Sequence, residues 1–261
     1  MESVFRRLRS RLVPLLLAPA ALLPLVLPAP LPVAAQLRAA VGQGTEPTVR
    51  VLLLESSALT LTALARPLRL QPGGVVIAPG QTVRLLLQDG AVVLDDGNTT
   101  QRLPGAGEYW LQAISLRPVI GMAVDPAAAP APPAGDVQLQ KRRYRGQLQL
   151  LVGRSSLQAV NHVPLESYLA SVVGSEMPAS WPQAALRAQA VAARTYALRQ
   201  RKAAAGFDVT ATTASQVYKG VEAETPSTRE AVAATRSQVL LFGGSLANAV
   251  FHSSGGGVTE N

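Results

Sequence analysis

The sequence predicts an α+β fold: a β-rich N-terminal region followed by a domain with a central alanine-rich helix. Three observations carry this expectation. Short apolar and β-branched runs, punctuated by Gly and Pro, fill residues 48–123. The stretch from Gln183 to Lys202 has seven alanines between Gln183 and Ala197, and its apolar positions recur at helical spacing. Between these regions, residues 124–136 contain DPAAAPAPPAG, a semi-rigid Pro/Ala linker. The expected organisation is 1–35 as a targeting segment, 48–123 as a β-rich module, 124–136 as linker and 140–261 as the second domain.

In the targeting segment, Arg6, Arg7, Arg9 and Arg11 precede an apolar run from Leu12 to Val33, which ends at Val33-Ala34-Ala35-Gln36. This is the pattern of a signal peptide cleaved near Ala35. The rival reading is a retained membrane anchor, against which stand six prolines from Pro14 to Pro32, each removing a backbone donor. Either way the remainder faces outside the cytoplasm, in the periplasm or on the wall side of the membrane.

Within 48–123, Val49–Leu54 reads as a mostly buried strand and Leu59–Ala63 as a half-buried one. Thr82–Gln88 and Ala91–Leu94 flank Asp89-Gly90, a two-residue hairpin signal. Tyr109–Leu116 is a further candidate strand. No acids, bases or nucleophiles cluster here, which favours a structural or docking module. Lys141-Arg142-Arg143-Tyr144-Arg145 reads as a solvated strand edge, with glycan or membrane-surface contact as the sharper reading.

In the second region, Gln147–Val152 and Leu157–Val163 read as strands, and Pro164 as the opening of a helix. Leu165, Tyr168, Leu169, Val172 and Val173 give that helix a buried face, and Gly174 is expected to end it in the left-handed conformation. Glu176 would then lie on a short connection. Ser180-Trp181-Pro182-Gln183 has the form of a capping box for the next helix, on which Arg187 and Arg194 share a face. On spacing alone, the plain reading of Glu176 is a structural ion pair with one of those arginines. Arg229–Thr235 reads as a short helix, and Val239–Phe242 and Ala249–Phe251 as strands before a Gly-rich end from His252 to Asn261.

The 261 residues carry a formal net charge of +8, which favours an anionic partner: nucleic acid, anionic lipid or an acidic polysaccharide. With 4% aromatics and no zinc-finger or RNP-type motif, nucleic acid is disfavoured. The absence of cysteine excludes disulfides and thiolate metal sites, and His162 and His252 are too few for a histidine-rich one. No cofactor is expected.

Several ordered blocks are distinctive: VPLESYL at 163–169, Ser175-Glu176-Met177-Pro178, Trp181-Pro182, AQAVAARTY at 188–196, Ser215-Gln216-Val217-Tyr218 and Ser253-Ser254-Gly255-Gly256. Together they resemble the SpoIID/LytB family (stage II sporulation protein D) over Tyr144–Asn261. The resemblance implies a lytic transglycosylase that cleaves peptide-stripped peptidoglycan strands, with Glu176 as the catalytic acid. It also implies substrate contacts from Arg187, Gln189, Arg194, Tyr196, Gln216, Tyr218, Ser253, Ser254 and Gly255. A LytB-like reading is a non-catalytic, wall-binding enhancer of a partner amidase. Some relatives bind zinc through Cys and His where this chain has Thr210, Ala214 and Ser215, so no metal is expected there. Similar proteins continue past the Gly-rich block, so the chain is expected to be incomplete at its C-terminus.

A glycosidase ordinarily uses two carboxylates. Asp208, Glu222, Glu224 and Glu230 all read as surface charges, leaving Glu176 unpaired. A lytic reaction relaxes the requirement, because the sugar's own 6-hydroxyl displaces the leaving oxygen and one residue serves as acid and base. Glu176 must then hold a proton near neutral pH, which partial burial against Met177 and Trp181 favours. Arg187 and Arg194 are accordingly expected to avoid Glu176 and to bind substrate, one of them reading the lactyl carboxylate that peptide removal exposes.

Overall fold

Alternation of buried and exposed side chains organises the chain into two sheets that share one core. The computed structural model describes residues 46–114 and 135–252. The first sheet has seven strands in the order β13-β1-β12-β11-β8-β3-β4. These are β13 (Val209–Thr210), β1 (Thr48–Ser56), β12 (Leu157–Pro164), β11 (Gln147–Val152), β8 (Glu108–Ala113), β3 (Leu68–Gln71) and β4 (Val75–Ile77). The second has six, in the order β10-β9-β2-β5-β6-β7: β10 (Arg142–Tyr144), β9 (Val137–Leu139), β2 (Ala58–Ala63), β5 (Thr82–Gln88), β6 (Ala91–Asp95) and β7 (Thr100–Arg102). Val49 and Val51 of β1, Leu59 and Leu61 of β2, Leu85 of β5 and Leu150 of β11 belong to one buried cluster.

The two halves of the sequence are woven together in these sheets. Strand β1 lies between β12, antiparallel, and β13, parallel. In the other sheet β9 pairs with β2. Hydrogen bonding therefore runs across the expected boundary between 48–123 and 140–261. Gly135 and Asp136 close the expected linker in ordered form: the Asp136 carboxylate is paired with Arg66 and its N–H donates to Tyr144 O at 3.2 Å. Residues 1–35, most of 124–136, and Ser253 onward lie outside the described residues.

The Asp89-Gly90 hairpin is present between β5 and β6, with φ of 47° and 73° at its two corner residues. Such a left-handed pair matches the strand twist. The C-terminal strand expectation needs correction. Among the described residues of this segment, Leu241–Phe242 (β14) and Ser245–Leu246 (β15) pair around Gly243-Gly244, and Ala249–Phe251 has no strand partner there. The basic run is likewise more than a solvated edge. Arg145 is buried against Glu224 at 2.8 Å, and Arg143 pairs with Glu222 at 2.7 Å.

Three helices, α1 (Leu165–Glu176), α2 (Gln183–Gln200) and α3 (Pro226–Ala234), pack on one another. Gly174 does not stop α1, which runs on to Glu176. It is glycine because a Cβ there would sit 1.9 Å from the Ala223 carbonyl oxygen in the 3-10 turn Gly220–Ala223. No capping box forms at Ser180: α2 begins after Pro182, with no side-chain cap. The ring of Pro182 disfavours helical geometry at Trp181, which displaces the start. A capping box does form at α3, where Thr225 and Thr228 bond reciprocally.

Candidate active site

Glu176 lies in the last turn of α1, half-buried, and not on a connection after it. Its Oε1 accepts a 2.8 Å hydrogen bond from the backbone N–H of Val217. That amide is held in place from both helices. The Tyr168 hydroxyl on α1 donates to Gln216 Oε1 at 2.9 Å, and Gln216 Nε2 donates to the Ala193 carbonyl of α2 at 3.3 Å. Burial pushes the Tyr168 phenol well above its ordinary range.

Tyr196 and Gln189 are seven residues apart and share one flank of α2. Both are half-buried, and Gln189 Nε2 has no partner among the described residues. Met177 packs on the core, while Trp181 stays 49% exposed. The geometry therefore brings Glu176 onto the Val217 amide, while Gln189 and Tyr196 lie along one flank of α2. Fixing Oε1 leaves Oε2 as the atom for proton exchange with a ligand.

Other expected ligand contacts need correction. Arg194 is 1% exposed. Its Nε and Nη2 donate to Glu166 Oε1 and Oε2 at 2.9 and 2.6 Å, and its remaining donors reach Gln238 O at 3.1 Å and Val232 O at 3.3 Å. It is a buried clamp between α1, α2 and α3, turned away from ligand. Gln216 is buried with its amide committed as described. Tyr218 is buried as well, its hydroxyl donating to Asn161 Oδ1 at 2.9 Å and its ring 5.1 Å from that of Tyr168. Arg187 does present its guanidinium to solvent, but on the α3-facing side of α2, 3.6 Å from Glu230. Two residues on a helix are about 200° apart at 3.6 residues per turn, which sets Arg187 on the side opposite Gln189. Ser253, Ser254 and Gly255 lie outside the described residues.

Two acids expected at the surface are buried. The Asp208 side chain is 3% exposed and held by Arg50 at 2.7 Å. Desolvation works to raise its titration point but is outweighed by bonds from the Arg50 side chain and from the Arg50 and Lys202 amides, so the carboxyl lies below its usual range. Glu224 is enclosed with Arg145. At the positions matched to zinc ligands, the Thr210 N–H donates to Ser215 Oγ at 3.1 Å, and Thr210 Oγ1 donates to the same oxygen at 3.3 Å.

Sequence reasoning missed Tyr168 and Glu166 as working polar groups. Tyr168 was legible only as part of the apolar stripe, although a buried tyrosine hydroxyl ordinarily needs a partner.

The family model described as stage II sporulation protein matches residues 153–242. The amidase enhancer of Bacillus subtilis is 47% identical over 92 residues, covering 35% of this chain and 12% of that protein. Stage II sporulation protein D of Bacillus subtilis is 38% identical over 127 residues, covering 42% of this chain and 37% of that protein. An uncharacterized protein of Brachyspira hyodysenteriae is 37% identical over 121 residues, covering 45% and 33% respectively. The chain thus spans little more than a third of the length of these relatives at most. No solved structure matches. The matched segment, residues 153–242, is thus a region of the SpoIID type and encloses Glu176, Tyr168, Arg194 and the Gln216-Val217 strap.

Proposed function

We propose that the chain is an exported peptidoglycan lytic transglycosylase acting on peptide-stripped glycan strands, with Glu176 as its single acid and base. The observation that carries this reading is the half-buried Glu176 carboxyl, pinned through Oε1 to Val217 N–H at 2.8 Å and unpaired with any cation among the described residues. In the protonated form, Oε2 gives its proton to the bridging glycosidic oxygen as the bond from that oxygen to the anomeric carbon breaks. The muramyl 6-hydroxyl oxygen attacks the anomeric carbon, and the carboxylate takes the hydroxyl proton. The product is a 1,6-anhydro end, no water is consumed, and Glu176 regains its starting form. Acid-base help of this kind contributes about 10²–10⁴-fold. Of the two arginines that the resemblance assigns to substrate, Arg187 has an exposed guanidinium to offer a lactyl carboxylate, whereas Arg194 is buried.

The test is mass spectrometry of amidase-treated peptidoglycan after incubation with the protein. Anhydro-ended fragments are expected from the parent and not from Glu176→Gln. Equal yields from both would reject the assignment. The name of the Bacillus subtilis amidase enhancer favours a second reading, a wall-binding module that stimulates a separate amidase. Binding without anhydro products, with amidase stimulation that survives Glu176→Gln, supports that one.

A further inference from the structure

We infer that the outer face of the seven-stranded sheet is a second carbohydrate site, separate from Glu176, which takes an acidic glycan with a sugar ring on Trp110 and an anionic group toward Arg201 and Lys202. The identity of the glycan as wall polymer rests on the function proposed above; the site itself does not.

Strand alternation creates the surface. Val49, Val51, Leu148, Leu150, Tyr109 and Leu111 point into the core, so the intervening residues of the same strands point away from it. Register then sets Gln71, Trp110 and Gln149 in one row across β3, β8 and β11, and His162 beside Arg50 across β12 and β1. The row is a connected polar network. His162 Nε2 meets Gln149 Oε1 at 2.8 Å, Gln149 Nε2 donates to Glu108 Oε2 at 2.6 Å, and Trp110 Nε1 donates to Glu108 Oε1 at 3.1 Å. The Trp110 and His162 rings are 4.6 Å apart and tilted by 58°. Both rings are partly exposed, whereas Gln149 beneath them is 8% exposed.

Two cavities of about 390 Å³ flank this aromatic pair. One is lined by Gln71, Gly73, Gly74, Glu108 and Trp110. The other is lined by Thr48, Arg50, His162, Arg201, Lys202 and Asp208. One ring of the pair lines each cavity, so the two lie on either side of it. The wall of the second is built by Arg50, whose guanidinium is committed to Asp208 and to the carbonyls of Lys202 and Ala205. Arg201 and Lys202 make no ion pair among the described residues. They follow the C-terminal end of the 18-residue helix α2, and neither cavity is lined by Glu176.

The chemistry selects a glycan. A pyranose ring offers an apolar C–H face to a rigid indole and hydroxyls to the planar groups around it. Glu108 keeps spare acceptor capacity and Gln149 a second amide hydrogen. Burial, together with the Arg50 charge, holds the His162 imidazole below its ordinary range, so this part of the floor is uncharged at neutral pH. Charge is segregated: acid and amides at the indole, cations one ring away. Phosphates spaced along a nucleic acid would be repelled at the Glu108 end, whereas a polysaccharide with a carboxylate on alternate sugars places one anion at the cationic end.

Trp110 is its own reporter, because the chain has two tryptophans and Trp181→Phe leaves it alone. The full chain carrying Trp181→Phe and Glu176→Gln is titrated with peptide-stripped peptidoglycan strands and with neutral chitotetraose, following indole emission. Both probes are expected to shift the emission saturably. Adding Arg201→Ala and Lys202→Ala should raise the midpoint about tenfold for the acidic strands and leave that for chitotetraose unchanged. No emission change with either probe overturns the site, and an unchanged acidic midpoint in the cation variant overturns its orientation. Failure of the parent to make anhydro ends rejects the role of Glu176 and leaves these outcomes standing.

Discussion

Arg194 and Glu166 form a two-bond ion pair, 2.6 and 2.9 Å, with the guanidinium enclosed among three helices. Removing one partner strands a buried charge, which costs about 3–5 kcal/mol, while an apolar replacement of both is close to neutral. Arg194→Met is therefore expected to lower the urea midpoint sharply, and Glu166→Leu combined with it to restore much of the loss. A midpoint for Arg194→Met equal to the parent's would show that the clamp does not hold the helices together.

This pair also shows where sequence reasoning stops. The helical period of α2 was legible, and so was its small-residue stripe, Leu186, Ala190, Ala193 and Ala197, all buried. The same period sets Arg194 beside that stripe, but its role is decided by Glu166, 28 residues away, and by the carbonyls of Val232 on α3 and Gln238 beyond it, 38 and 44 residues away. Pairing at such separation leaves no trace in local spacing. The Asp89-Gly90 turn was legible for the opposite reason, since its geometry is set within two residues. Glu176 was a candidate by its matching motif, whereas its anchor, the Val217 amide, is a backbone group that no side-chain pattern marks.

Gly174 tests packing against propensity. In an exposed helix interior, Gly→Ala stabilises by about 1 kcal/mol. Here the new methyl would meet the Ala223 carbonyl at 1.9 Å and the Thr228 methyl at 3.5 Å. The first of these contacts is with backbone, so α1 and the 3-10 turn must separate. Overpacking of this kind costs about 1–3 kcal/mol, outweighing the propensity gain. Gly174→Ala is expected to melt below the parent; a higher melting temperature would mean that the turn yields freely.

His162 gives stability a pH dependence of defined sign. Burial disfavours its charged form, with Arg50 adding to the effect, so the folded chain binds this proton less readily than the unfolded chain does. Stability from this residue is complete above the unfolded value near 6.5 and declines as pH falls below it, until the folded imidazole also charges. The denaturant midpoint should drop between pH 7 and pH 5, and His162→Gln should flatten that part of the profile. Parallel profiles for the two proteins would remove His162 as the source.

Gln216 is expected to act on Glu176 through position alone. Its amide spans Tyr168 and Ala193, and the next backbone N–H carries the bond to Glu176 Oε1. Gln216→Ala leaves the buried Tyr168 hydroxyl without its acceptor, a cost of about 1–3 kcal/mol, and frees the Val217 amide to drift. A displacement near 1 Å at a reacting group lowers turnover by about 10²-fold. On peptide-stripped strands kcat should therefore fall while KM stays close to the parent's, because the residue touches no ligand. Tyr168→Phe should show the same split more weakly, since the Ala193 anchor survives. A rise in KM with kcat preserved would place Gln216 in contact with the glycan and reject the strap as the means by which Glu176 is aimed.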